Sequence, residues 1–557
     1  MSEYLNAYYK SKSMCSYNSR PTCECSKCFH EKTEKYFQGI KSNAKYCYEY
    51  KKDEHKKSHD CCTSHKKSHD CCTSHKKKNN CCTEQKVERQ VNNPTNDVIN
   101  FPRITQSETS LAYFNKSILF GYNNFNNGRP EDRYKPGTYS LSAFSFSNDL
   151  GNTWIDGGTI PLNGTGFNDG DPVVAVDRNG IFYYGQIGRE EVVGTLQGVI
   201  SVSTGIPNPT GTITMHPPQV VGRGQNPSPE PGSQDKEWIA VGGDANNPGN
   251  EALYITWTDF TVNPRNILFS KYTTGVNLTP IITDQVIIPG GTNFVTGSFV
   301  VIDERGVIYV FYLETSEFDN INQANRTIRM VKSTDGGNTF PINVPVSVPF
   351  FAAASATGPC NRPSIGVDDT RQIRMNEYPQ AAIAPDGTLY VVWNAGRIIG
   401  NSRFIDILLA YSQDEGNTWH TVNISTHQNL TFPFFPSVAA NGQGAHIQYN
   451  RFNDQNGKGG VGDGTFAIFM KSFSPFEGLS KERMVSTEYS PIPITNQQGA
   501  GISRCYMGDY NQVITGPENC LLHSWSDNRN EIDQRDNPDV FFRRTVPKKK
   551  KYDTCCD

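Results

Sequence analysis

Ser147-Asn-Asp149-Leu-Gly151-Asn-Thr153-Trp154 returns almost unchanged as Ser333-Thr-Asp335-Gly-Gly337-Asn-Thr339-Phe340 and as Ser412-Gln-Asp414-Glu-Gly416-Asn-Thr418-Trp419. The residue types describe a tight turn. The aspartate accepts backbone N–H groups, the glycine takes a conformation closed to other residues, and the aromatic wedges between strands. One such octapeptide says little. Three copies, each following a strand-like run, mark a repeated unit.

Each unit has a short apolar strand, a turn, and a second strand ending in an aromatic. Seven such pairs can be read, at 109–125, 170–186, 235–260, 297–314, 377–397, 432–452 and 506–529. Examples are GDPVVAVDRNGIFYYGQ at 170–186 and EYPQAAIAPDGTLYVVWNAGR at 377–397. Further strand-like sequence follows most pairs, as in FIDILLAYS at 404–412. Four strands per unit is the blade of a β-propeller. The fold class predicted is all-β, a ring of four-stranded antiparallel blades. Seven blades follow from seven pairs, and six if one unit is an insertion.

Residues 1–95 and 548–557 have another composition. Through Thr95 there are 19 Lys and Arg against 11 Asp and Glu, and the last ten residues, KKKKYDTCCD, carry +2. The net charge of −3 therefore leaves the middle at −13, which argues against nucleic acid binding by the ring. Thirteen of the sixteen cysteines lie outside the middle, so the folded part is not expected to depend on disulfides. The decapeptide KKSHDCCTSH at 56–65 recurs at 66–75 and, decayed, at 76–85. Polar decapeptides cannot bury a core, so 1–95 reads as a disordered arm, 96–547 as the propeller and 548–557 as a short tail.

Adjacent cysteines do not easily bond each other. Cys61, Cys62, Cys71, Cys72, Cys81, Cys82, Cys555 and Cys556 therefore read as cross-linking residues with partners on other chains. The alternative is a soft metal ion shared with His59, His65, His69, His75 and the Cys23-x-Cys25-x-x-Cys28 cluster, although no closed zinc spacing is present. No other cofactor is expected. No apolar run is long enough to span a membrane, and the beginning, MSEYLNAYYKSKSMC, lacks a secretory leader's apolar stretch.

The octapeptide, in register with a blade repeat, resembles the Asp-box (BNR repeat) of the sialidase-like β-propeller superfamily, over about four-fifths of the chain. The resemblance implies that the box joins third and fourth strands on the face away from the binding site. Asp149, Asp335 and Asp414 are then structural. It also implies that segments before first strands and after second strands meet at a mouth.

Asp171, Glu237, Asp509 and Tyr510 are the candidate catalytic residues there. The substrate-binding candidates are Arg103, Trp257, Asp259, Trp393, Arg397, Arg451, Trp525, Asp527 and Arg529. Carboxylates, arginines and aromatics together suit sugars. Family sialidases use three arginines on the substrate carboxylate, with a tyrosine nucleophile. Phe101-Pro102-Arg103-Ile104-Thr105 resembles the first-arginine motif in altered form, and Tyr449, Tyr506 or Tyr510 are possible nucleophiles.

Three readings stay open: a glycan-binding surface-layer propeller tethered by its tails, an exo-glycoside hydrolase of the sialidase type, and a purely structural protein. Leaderless, lysine-rich, Cys-Cys tails also resemble bacterial spore coat and exosporium proteins, which implies a spore or cell surface location and surface-layer partners.

Overall fold

A computed structural model describes residues 83–547, apart from 133–134, 136, 165, 318–319, 355, 358–362, 401, 426–430, 455–458 and 495–504. The Cys-Cys decapeptides and the C-terminal tail lie outside the described residues.

Seven antiparallel sheets follow one another, each paired in sequence order. Blade 1 is Gln106–Phe114, Ser117–Asn124, Ser142–Ser147 and Ile155–Thr159. Blade 2 is Phe167–Val176, Phe182–Val192 and Thr195–Pro207, with Ile213–Met215 and Gln219–Arg223 outside. Blade 3 is Gln234–Gly243, Glu251–Asp259, Asn266–Thr273 and Pro280–Ile288. Blade 4 is Phe294–Ile302, Ile308–Thr315, Arg326–Ser333 and Ile342–Pro345. Blade 5 is Gln380–Ile383, Leu389–Ile399, Ser402–Ser412 and His420–Asn423. Blade 6 is Pro433–Asn441, Gly444–Phe452 and Thr465–Ser474, with three two-residue pieces along its outer edge. Blade 7 is Gln512–Thr515, Leu521–Ile532 and Arg535–Thr545. A small sheet ending in Arg371–Arg374 is inserted between blades 4 and 5. First strands of neighbouring blades pack on each other, and blade 1 meets blade 7, so the ring is closed.

Second strands are buried on both faces because each is sandwiched between two blades. Ile308–Thr315 and Leu389–Ile399 accordingly read as near-continuous apolar runs. The three Asp-containing turns join third to fourth strands in blades 1, 4 and 5, and share one set of bonds. In the blade 5 turn, Ser412 Oγ donates to Asp414 at 2.7 Å. The Thr418 N–H and hydroxyl donate at 2.9 and 2.7 Å, and the Gly416 N–H donates to Ser412 Oγ at 2.8 Å. The aromatic wedge reaches across to the neighbouring blade. Trp154 meets Phe542 of blade 7, Phe340 meets Phe269 of blade 3, and Trp419 meets Phe311 of blade 4, all edge-on. The glycine turns its bare face toward the same neighbour: a Cβ on Gly151 would lie 2.1 Å from Phe542.

Two sequence expectations are corrected. The fold does not begin at 96. Arg89–Gln90 pairs with Phe541–Phe542 as the fourth strand of blade 7, so the two ends of the described chain close the ring. Arg543 and Arg544 clamp this strand by donating to the carbonyls of Gln85, Lys86 and Thr83 at 2.8–3.1 Å. The short helix Pro94–Asn100 follows, capped by Asn93, whose side chain accepts from the Thr95 N–H. It brings Asp97 against Asp539 of blade 7, with the Asn92 amide donating to both carboxyl groups, at 3.1 and 2.6 Å. Nor is the folded part free of disulfides, for Cys505 and Cys520 are each disulfide-bonded.

Candidate functional site

The innermost strands carry a feature that periodicity hides. In blades 1, 2, 3, 4 and 6 the pairing slips by a bulge near the strand's beginning. At that slip stands a residue of positive φ: Glu108 (53°), Asp171 (56°), Lys236 (57°), Gly297 (66°) and Phe435 (49°). Non-glycine residues rarely adopt this conformation, and four of them in equivalent places, with a glycine in the fifth, mark a functional or strained centre. In blade 7 Gly508 has φ 82°, and a Cβ there would lie 2.4 Å from Glu108 Cγ, so the bulges crowd together on the axis.

The charged side chains among them form one network. Lys236 Nζ lies 2.5 Å from Asp509 and 3.1 Å from Asp171. Arg374, from the inserted sheet, donates to Asp509 at 2.6 Å through Nε and 2.5 Å through Nη2, and its guanidinium lies over the Tyr506 ring. Glu108 is fully buried and accepts from the Asn123 amide at 2.9 Å and the Asp509 N–H at 2.8 Å. Asn123 also donates to the Tyr506 hydroxyl at 2.9 Å.

The protonation states divide accordingly. Burial, then the neighbouring Asp171, pushes Glu108 far above the usual carboxylate range, so it keeps its proton and shares it with Asp171. Burial opposes ionisation of Asp171 and Asp509 as well. For Asp171, Lys236 outweighs it, and for Asp509, Arg374 and Lys236 do, leaving both below the ordinary value. Asp235 is raised to about 6 by burial and remains mostly ionised at neutral pH.

Beside this network lies a small, half-open cavity. Trp238, Phe299, Tyr378, Phe435 and Tyr510 line it together with Glu237. Trp238 stacks on Phe299 with centroids 4.0 Å apart and meets Tyr510 edge-on at 5.9 Å. Both carboxyl oxygens of Glu237 are buried without a hydrogen-bond partner among the described residues. Burial first, then Asp171 and Asp235, pushes its pKa well up, so the group is neutral. Buried polar groups are seldom left unpaired, and each that is requires an explanation.

The structure brings together Asp171, Glu237, Asp509 and Tyr510, but none of the nine substrate-binding candidates. Trp257, Trp393 and Trp525 are fully buried, because second strands pack between blades. The Trp257 indole donates to Gln234 and that of Trp525 to Asp527. Asp259 is also fully buried and holds the 225–261 loops through Gln225, Gln234 and Thr261. Arg397 pairs with Asp406, Arg451 with Glu482, and Arg529 with Asp527 and Glu88. Arg103 is half-buried near Asn126, whose carbonyl accepts from it at 3.5 Å. The arginine at the cluster is instead Arg374, which no repeat position announces. Of the tyrosines, Tyr449 is buried against Glu482 in blade 6, and the Tyr510 hydroxyl donates to the Pro172 carbonyl at 2.9 Å. Lys236 and Glu108 also belong to the network, and their one signal in the sequence is that each stands, like Asp171, near the beginning of an innermost strand.

Among the described residues no group of three or more His, Cys, Asp or Glu is arranged to hold a metal ion, and no helix is long and apolar enough to cross a membrane.

No family model matches the chain, and no curated protein does. Among solved structures, it is similar to an α-L-arabinofuranosidase of Fusarium graminearum, with 10% identity and TM-score 0.43, over 83% of this chain and 98% of that one. An ulvan lyase of a polysaccharide lyase family matches at 10% identity and TM-score 0.42, over 82% and 93% of the two chains. A sialidase of Trypanosoma rangeli matches at 12% identity and TM-score 0.34, over 80% of this chain and 55% of its own.

Proposed function

We propose that this protein is a glycan-binding propeller whose ligand enters the axial cavity beside Glu237. The observation that carries the reading is the cavity wall itself, in which five aromatic side chains stand with Lys236, Asp509 and Glu237, the last a buried carboxyl group without a hydrogen-bond partner among the described residues. Aromatic faces take the apolar face of a sugar ring, and an unsatisfied polar group supplies orientation. Binding fits better than hydrolysis. Glycoside cleavage ordinarily needs two available carboxyl groups flanking the bond. Asp171 and Asp509 are held by Lys236 and Arg374, which leaves Glu237 alone. The sialidase reading also needs three arginines on one anion, and the arginine bonded into this cluster is Arg374.

The tails then serve as a tether that cross-links the ring into a surface layer. Thr83 and Pro547, where the described chain enters and leaves the ring, both belong to blade 7, next to its third strand. They lie at the end that carries the Asp-containing turns, away from the cavity, since Arg544 also donates to the Leu150 carbonyl of the blade 1 turn.

A broad glycan array, run with a fluorogenic glycoside panel, tests the reading. We expect binding to at least one glycan class, lost in Tyr378→Ala, kept in Arg397→Ala, and unaccompanied by aglycone release. Failure of every glycan to bind removes the proposal, and turnover of a glycoside removes its binding-only form.

A further inference from the structure

The ligand chemistry follows from charge. Lys236 and Arg374 are both engaged, and face the ionised carboxylates Asp171, Asp509 and Asp235. Among the described residues, an anionic sugar would meet these carboxylates beside two cations that are already bonded to them. Positive charge is admitted: Lys236 Nζ lies 5.9 Å from the centroid of Tyr378, a ring that lines the cavity. Aromatic faces beside a carboxyl group are the surroundings in which a desolvated ammonium is stabilised, by the ring quadrupoles and by an acceptor. Glu237 supplies that acceptor in duplicate, with two buried oxygens and no internal donor among the described residues.

We infer that the glycan taken by this cavity carries a free basic amino group, as in a 2-amino-2-deoxyhexose, and that Glu237 receives the ammonium against the aromatic wall. The inference rests on the glycan-binding reading above and narrows it to one class of sugar. It has a measurable corollary. Burial, then Asp171 and Asp235, holds Glu237 neutral, and an ammonium beside it would restore the ionised form. Binding therefore expels the carboxyl proton into solution. The O–H bond of Glu237 breaks, the proton passes to buffer, and the charge on the ligand amine is unchanged.

Calorimetry of the full chain at pH 6, where the sugar amine is charged, tests this with two probes, glucosamine trisaccharide and its N-acetylated counterpart. Each is run in two buffers of different ionisation enthalpy. We expect the amino form to bind at least about tenfold more tightly, the scale of one desolvated cation contact, and to release close to one proton per site. In Glu237→Gln the preference should vanish and the release should fall to the fraction that Asp235, at about 6, still gives up, while the circular dichroism is unchanged. Equal or better binding of the N-acetylated form, or binding without proton release, overturns the inference on the wild-type protein alone, whatever the variant does. Binding of some other neutral glycan but not glucosamine sinks this inference and leaves glycan recognition standing. Binding of no glycan at all removes both.

Discussion

The ring closes over a carboxyl pair that makes its stability depend on pH in an unusual sense. Asp539 is fully buried and accepts the amides of Asn92, Asn530 and Asn537 at 2.6–3.2 Å, with Asp97 beside it. Burial, then the Asp97 charge, raises it to about 7 from an ordinary 3.8. The folded state thus binds more protons than the unfolded chain between about pH 4 and 7, so stability falls as pH rises through that window. With one unit equivalent to 1.36 kcal/mol, the loss from this group is on the order of 4 kcal/mol, complete above about pH 7.5. Asp539→Asn copies the protonated form and should remove the dependence, at a cost of about 1 kcal/mol for the Asn92 bond it weakens. Urea midpoints of wild type and variant at pH 5, 6, 7 and 8 provide the assay. The difference isolates this pair from Glu108 and Glu237, which shift in the same direction, and from Asp171 and Asp509, which shift oppositely. The variant should be the less stable protein at pH 5 and the more stable at pH 8. A gap independent of pH would refute the shared-proton account of the closure.

Asp149→Ala, Asp335→Ala and Asp414→Ala should each cost about 1–2 kcal/mol in chemical denaturation, because three partly exposed bonds and an interblade wedge are loosened, with glycan binding unaffected. A chain starting at residue 83 should keep the wild-type melting temperature, whereas one starting at 96 loses Arg89–Gln90 and the Gln85 contacts. The shorter chain should melt lower and self-associate through the bared edge of Arg535–Thr545, as light scattering would report. Lys236→Met leaves Asp171 and Asp509 without their shared cation, and should destabilise the ring by about 3–5 kcal/mol, whereas Arg397→Ala, a less buried pair, should change the urea midpoint far less. Under oxidising conditions the intact chain should form multimers that reductant dissolves; sensitivity to chelator instead would favour the soft metal reading of the tails.

The ring was legible because the octapeptide places a glycine, an acceptor and a wedge at fixed offsets, and because seven strand pairs repeat with it. Blade 7's fourth strand was not legible: Arg89–Gln90 is two polar residues whose strand character comes wholly from Phe541–Phe542 across the ladder. Asp171, Glu237, Asp509 and Tyr510 come together because they stand at or just before strand beginnings. Trp257, Trp393 and Trp525 were misplaced for a geometric reason. A strand's alternation tells which residues share a face, but a blade buried on both sides turns neither face to the mouth. The bulges at Glu108, Asp171 and Lys236 lay beyond reach too, since none of these residue types favours positive φ strongly enough to announce it.

The closure also decides how the ring would bear a mechanical load. The first residue of Arg89–Gln90 and the last of Arg535–Thr545 lie toward the same end of one antiparallel pair. Tension applied through both chain ends would therefore peel that pair open from one end instead of shearing all its bonds together. The first groups to carry the force are the Arg543 and Arg544 guanidiniums on the carbonyls of Thr83, Gln85 and Lys86. Those two arginines are thus the mechanical fuse of the molecule. Single-molecule extension of Arg543→Ala should show an earlier, smaller first rupture that frees the N-terminal strand, while the other six blades hold.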